Sequence, residues 1–466
     1  MKKALAVFLA LVMVLSVAGC GKSQVSNDAT PSASAKTDTP TEEKAADGQP
    51  QKLVVLGNAR MYDGEDAAWE EMIEAFKAET GIEVELRFSG KWNEVPTNLS
   101  AAIQAGEQVD FVTVGAGLIR STCAPAGVLL DISTLVPDEV RQRYTAGMLD
   151  AYTMGGKLWG IPFGNSSAGF IYYNADMFRE LDITPPTTYP EFVEAGKKLA
   201  DAGKIPLIFR GKDASYWPNW FFSTYAQTTK NNSIPETESW LMGSRSVAGD
   251  QAVIDALNGI KAFYDDGILT QESMDTDGDG MKATFIQGLA GMMHTHNFQL
   301  KPDAVDFELG ILPFPLITDD PNVINQPAGG AGTGLAVCSY IDRNNIENAK
   351  KFIEFFTRPE WAAKICGCYN PTVRVLDGVE ILQADIVTQL NDELVPNTIM
   401  YLDWIWPSEI LSAFQSVVPA VVTGAISAED GTQQLQDAYD ALVREQDYQY
   451  DWWNNWSDAQ WAVVTP

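Results

Sequence analysis

Two hydrophobic periods alternate between residues 53 and 114, and that alternation narrows the fold more than any other feature of the chain. Leu53-Val-Val-Leu56 is a short continuous apolar run, as a buried strand makes. Trp69, Met72, Ile73 and Phe76 then recur at helical spacing within residues 66–80, and Gly81 supplies the C-terminal stop. Ile82, Val84, Leu86 and Phe88 alternate strictly with Glu83, Glu85 and Arg87, which marks a half-buried strand. A second helix over 96–106, with Leu99 and Ile103, leads into Val109-Asp-Phe-Val-Thr-Val114. Strand, helix, strand, helix, strand predicts an α/β lobe with a doubly wound sheet. In such a lobe ligands meet the loops at the carboxyl ends of the strands.

The same grammar resumes further on. Gly155-Gly156 marks a hairpin, residues 176–181 a short helix, and Thr188 with Glu191 a capping box for a helix over 190–202. Further strands are predicted at 205–209, 289–293, 309–312 and 334–337, and helices at 348–356, 428–443 and 452–461. No internal repeat is evident.

Ahead of the first strand lies an exported start. Lys2 and Lys3 precede an apolar core over 4–17, shorter than the ~20 residues of a spanning helix. The ending Leu15-Ser-Val-Ala-Gly-Cys20 resembles the bacterial lipoprotein box. That resemblance implies a signal peptide over 1–19 and a lipid on Cys20, tethering the protein to the outer face of the membrane. Residues 21–51 are Ser, Thr, Ala, Asp, Lys, Glu and Pro with Val25 the only large aliphatic side chain, a composition that predicts a disordered spacer. About 415 residues follow it, enough for two lobes with cores of their own.

Motifs spread along the folded part carry a family resemblance. They are Glu79-Thr-Gly-Ile-Glu83, Gly156-Lys-Leu-Trp-Gly-Ile-Pro162 with Ile171-Tyr-Tyr-Asn-Ala-Asp176, and Phe285-Ile-Gln-Gly-Leu-Ala-Gly-Met-Met293. Ala349-Lys-Lys-Phe-Ile-Glu-Phe-Phe356 and the stretch 424–443 complete the set. In this order, from about Lys52 onward, they resemble the family 1 extracellular solute-binding proteins, the maltose-binding type of ABC-importer sugar receptor. The resemblance implies a two-lobed periplasmic-binding-protein (Venus flytrap) fold, type II-like, with a hinge of several crossing segments. By analogy the N-terminal lobe takes 52–162 and 309–357, and the C-terminal lobe 163–308 and 358–466. It further implies a monomer that captures a sugar and hands it to the transmembrane subunits of a permease, with no enzymatic step and no cofactor.

A sugar presents hydroxyls at its edge and weakly apolar C–H faces, so its site needs aromatic plates and Asn, Asp, Arg or Ser. The chain has 13 Trp. Trp69 and Trp361, at helical spacing among apolar neighbours, read as core, and Trp452, Trp453, Trp456 and Trp461 as residues docking the C-terminal helix. Trp92, Trp217, Trp220, Trp404 and Trp406 fall in segments that read as loops. Family position favours Trp92, Trp217 and one of Trp404 or Trp406 for stacking on ligand. Asn58, Arg60, Asn165, Ser166, Asn297 and Asn370 are the matching polar candidates. The aromatic residue the family usually carries near Asn297 would here be Phe298 or His296. So many Trp favour a chain of sugar units over one hexose.

Composition bounds the alternatives. The formal charge is −30, and removing residues 1–19 takes away two lysines and no acid. Such a surface repels nucleic acid and argues against phosphorylated ligands, although Arg60 or Arg374 could act locally. Two histidines leave little material for a catalytic triad or a three-histidine metal site. Asp275, Asp277 and Asp279 alternate as in a calcium loop, but the twelfth position is Ile286, so the stretch reads as an acidic turn into a helix. Cys123, Cys338, Cys366 and Cys368 read as buried or free thiols, and a Cys123–Cys338 bridge stays open. The rival outside this fold's function is a secreted glycoside hydrolase, which needs two opposed carboxylates. Within the fold, the cargo could be a polyol, a glycerol phosphate or a peptide, or the partner a sensor.

Overall fold

The computed structural model describes residues 52–60, 64–145, 147–164, 170–295, 300, 304–330, 332–369, 375–376 and 385–466. The predicted signal peptide, Cys20 and spacer lie outside them. Among the described residues no helix is long and apolar enough to cross a membrane.

The predicted opening unit is present. Strand β1 (Lys52–Gly57) pairs in parallel with β2 (Glu83–Phe88) and β3 (Phe111–Gly115). The intervening helices span Glu65–Thr80 and Val95–Ala105, and Gly81 closes the first with a φ of 74°. Asp110 ties the sheet's entry together: its carboxylate accepts from Val54 N at 2.8 Å and Gln108 Nε2 at 2.7 Å. Gly57 is required by close approach, since a Cβ there would meet Thr113 Oγ1 at 2.0 Å. After the hairpin of β4 (Thr153–Met154) and β5 (Lys157–Leu158), β6 (Ile161–Gly164) joins the same sheet, while β7 (Phe170–Asn174) starts another. Strands β8 (Ile205–Ile208), β9 (Ala290–Thr295) and β10 (Leu309–Pro313) complete that second sheet in the order β10-β7-β9-β8. β11 (Ala328–Gly329) pairs in parallel with β13 (Ile399–Met400) as a two-stranded ribbon. Between them in sequence, β12 (Thr333–Val337) returns to the first sheet, which runs β2-β1-β3-β12-β6.

The chain therefore passes from sheet to sheet at 164–170 and 313–333. At three places the contacts differ from those that the expected lobe boundaries imply. Leu309–Pro313 was assigned to the N-terminal lobe, yet it pairs residue for residue with β7 of the second sheet, Leu309 opposite Asn174 and Pro313 opposite Phe170. The helix Pro359–Tyr369 was assigned to the C-terminal lobe, yet Trp361 stacks on Phe355 at 5.6 Å and Lys364 pairs with Glu71 of the N-terminal lobe. Thr145 N also donates to Val375 O, so the chain has not left that lobe by residue 375. Finally, Trp452, Trp456 and Trp461 gather around Trp159 at 5.6, 6.2 and 6.2 Å, and Asp131 N donates to Val464 O. The tryptophan-rich end docks as expected, but onto the N-terminal lobe.

The C-terminal lobe core is built on helices Trp217–Thr228, Gln251–Asp265, Ser408–Val422 and Ala428–Gln446 against the second sheet. The Thr188–Glu191 capping box opens a helix over Tyr189–Asp201. Asp277 caps the helix Gly278–Ile286 by accepting from Gly280 N at 2.9 Å, so the Asp275–Asp279 stretch is the acidic turn that the sequence predicts. Cys123, Cys338 and Cys366 are buried free thiols and Cys368 is partly exposed; burial pushes the first three up to about 12.

Candidate functional site

The sequence-derived aromatic candidates divide sharply by environment. Trp92 opens a short turn just after β2 and is 56% exposed, the most open of the large apolar side chains among the described residues. Trp217, Trp220 and Trp406 are 1%, 0% and 2% exposed. Trp217 begins a helix, donates its indole N–H to Gly211 O at 2.8 Å and lies edge-on to Phe209. Trp220 is enclosed by Phe209, Phe263, Phe314 and His294, with ring centroids 4.7–5.4 Å away. Trp406 stacks on Phe414 at 4.0 Å and 6°. These three pack in the core of the C-terminal lobe, where the sequence reading expects loop positions and, for Trp217 and one of Trp404 or Trp406, stacking on ligand.

Arg60 likewise turns into its own lobe. Its guanidinium is buried, 2.7 Å from Glu65 Oε1 and 3.0 Å from the centre of the Phe88 ring, so its charge is spent inside the N-terminal lobe. Asn58 is half-buried nearby in sequence and donates to its neighbour Ala59 O at 2.8 Å. Asn165, Ser166, Asn297 and Asn370 lie outside the described residues, as do His296, Phe298 and Arg374.

Trp404 is the candidate that the fold places between lobes. It follows the β11–β13 ribbon, is half-buried, and lies edge-on to Tyr401 at 5.1 Å. Two glycines make room for its indole. A Cβ on Gly117, in the N-terminal lobe, would meet Trp404 Cδ1 at 3.4 Å, and one on Gly330, at a φ of 104°, would meet Cζ3 at 3.6 Å. Gly147, Met148, Ala151 and Thr398 line a small recess beside it.

Two buried polar atoms near this ribbon lack hydrogen-bond partners among the described residues, Asp403 Oδ1 and Gln326 Oε1. Gln326 precedes β11 by two residues and Asp403 follows β13 by three. Burial pushes the Asp403 carboxyl up to about 7, against a smaller opposing effect of its own backbone N–H. A buried acceptor without a donor is costly unless something supplies one. Sequence reading passed over both residues, because a single Asp or Gln in a loop carries no periodic signal.

A cavity of about 390 Å³ lies elsewhere, within the C-terminal lobe, lined by Tyr189, Asp255, Lys230, Thr318 and Asp320. Its polar groups already have partners: Gln227 bridges Pro315 O and Ile317 N, Tyr189 donates to Asp266, and Lys230 pairs with Asp320. No unpartnered buried atom lines it among the described residues, so the interlobe ribbon is the better site.

Known proteins share this layout. The family described as bacterial extracellular solute-binding protein matches residues 62–363, more than half of the chain. The sn-glycerol-3-phosphate-binding periplasmic protein UgpB of Agrobacterium fabrum is 31% identical over 168 residues, 34% of this chain and 37% of that protein. The chain spans well under half the length of the first two curated relatives that it matches. The melibiose/raffinose/stachyose-binding protein MelE of Bacillus subtilis is 22% identical over 424 residues, 87% of this chain and 93% of that protein. A solved family 1 extracellular solute-binding protein from Bifidobacterium longum subsp. infantis superposes with a TM-score of 0.71 at 19% identity, covering 85% of this chain and 100% of that one.

Proposed function

Because the chain belongs to the bacterial extracellular solute-binding protein family and has its two-lobed α/β fold, we propose that it captures a neutral oligosaccharide between the lobes for an ABC importer. The observation that carries the reading is Trp404, half-buried at the ribbon between lobes, with the unpartnered oxygens of Asp403 and Gln326 nearby. An indole face and bare acceptors are what a sugar's C–H face and donating hydroxyls require. The match to MelE over 93% of that protein's length supports a ligand of several sugar units.

The partial match to UgpB raises glycerol phosphate as a second cargo. Of the two arginines that the sequence offers for a phosphate, the described one, Arg60, is already held by Glu65. Closure follows from contact with both lobes: a ligand that touches them together stabilises the closed arrangement by its differential affinity.

Trp404→Ala is expected to weaken binding at least about 30-fold, as loss of a buried aromatic anchor worth about 2 kcal/mol or more implies. Trp92→Ala tests the exposed ring in the same titration.

Delivery to a permease needs the receptor near the membrane, and a lipid on Cys20 with the 21–51 spacer would hold it there in a cell with one membrane. Cys20→Ser is expected to release the protein into the medium; unchanged retention in the membrane fraction would remove the lipid from the account.

A further inference from the structure

The C-terminal end does more than cover the N-terminal lobe. It leaves the helix Ala428–Gln446 through Asp447, at a φ of 51°, and is pinned to the N-terminal lobe by its tryptophans. Trp453 lies over Gly155 of the β4–β5 turn, where a Cβ would meet its indole at 2.7 Å. Between those anchors, Tyr450 is buried among side chains of the C-terminal lobe core.

Its phenol sits between two charges from different lobes. Arg120, on the N-terminal-lobe turn Ile119–Cys123, is 8% exposed. Its Nη1 donates to Thr153 O at 3.0 Å and to Asp150 O and Ala151 O at 3.4 Å, and its Nη2 donates to the Tyr450 hydroxyl at 3.2 Å. That hydroxyl donates to Glu238 Oε1 at 2.7 Å, on the Ser233–Leu241 helix of the C-terminal lobe. The short contact to a carboxylate is a charge-assisted bond. Arg120 otherwise donates to carbonyl oxygens and shares its charge with the Asp150 carboxylate of its own lobe, so Glu238, reached across the phenol, is the compensating charge from the other lobe. A rotation of one lobe that carries Tyr450 with it breaks one end of this relay and removes part of the compensation of a buried charge.

We propose that Tyr450 is an interlobe latch: the C-terminal strap couples Arg120 of one lobe to Glu238 of the other and sets the lobe spacing of the unliganded protein. The inference needs no ligand, so it stands or fails apart from the proposed cargo. Tyr450→Phe keeps the ring and removes the hydroxyl, and Glu238→Gln keeps an acceptor and removes the charge.

The test is the distance distribution between spin labels at Glu70 and Gln434, exposed in different lobes, measured without ligand by pulsed electron resonance in the full mature chain. Labels are placed through an unnatural amino acid, which avoids the native thiols. Tyr450→Phe is expected to move the population away from the wild-type distance by about tenfold, as loss of a hydrogen bond to a charged group implies. Glu238→Gln is expected to move it less in the same direction. A variant that melts earlier but keeps the wild-type distribution would make the network merely structural and overturn the latch, as would a distribution unchanged in every respect.

Discussion

Trp220→Ala is expected to destabilise the protein by about 3–5 kcal/mol, read as a fall in the denaturant midpoint. The side chain is fully buried, with four aromatic rings within 5.4 Å, and those neighbours come from β8's end, β9, the helix Gln251–Asp265 and the segment after β10. Packed from so many sides, the site cannot collapse onto the space a removed indole leaves, so the cost lies near the upper end for core truncations. Trp404→Ala should do the reverse. Its indole is only half-buried beside Gly117 and Gly330, so the midpoint should move little while ligand affinity falls. A Trp220→Ala protein as stable as wild type would show that the ring is not part of the core.

Asp403→Asn has the second large effect, and it depends on pH. The carboxyl titrates near 3.8 when free of the fold and at about 7 within it, because burial disfavours the charged form. Between those values the folded protein binds a proton that the unfolded chain has lost. The associated stability is therefore fully present below about pH 4 and is lost as pH rises through 7, at most about 4 kcal/mol in total. Asparagine stays neutral throughout, so the variant should show a shallower fall in stability from pH 4 to 8. Asp110 and Asp150 are also raised by burial and contribute with the same sign, so the informative quantity is the difference between variant and wild type. Parallel stability curves would mean that Asp403 is not buried as an acid.

Much of the scaffold is legible because its signals are local. Gly81, the Thr188–Glu191 box and the Gly155-Gly156 turn, with φ of 57° and 72°, each announce their role within a few residues. Trp217 and Trp220 were misplaced for a physical reason. Their helix, Trp217–Thr228, is buried at eleven of its twelve residues, the polar Asn219, Ser223 and Gln227 among them, so it turns almost no face to solvent and its apolar residues crowd every side. Pro218, in the first turn, was the signal that could have found it.

The sheet and lobe contacts of later segments were hidden for a different reason. Leu309–Pro313 chooses its sheet by pairing with residues about 140 positions earlier, and no local pattern encodes such a partner. The return of 359–369 and 452–464 to the N-terminal lobe is equally non-local. Asp403 and Gln326 stand out only once burial is known.

The most direct test of the central claim is calorimetric titration of the mature protein with raffinose, stachyose and xylo-, chito- and malto-oligosaccharides, with sn-glycerol 3-phosphate alongside. At least one neutral oligosaccharide should bind saturably, stabilise the protein by about 2.7 kcal/mol at a hundredfold excess over its Kd, and lose affinity in Trp404→Ala. Binding of glycerol phosphate alone, or an oligosaccharide affinity that Trp404→Ala leaves unchanged, would contradict the account.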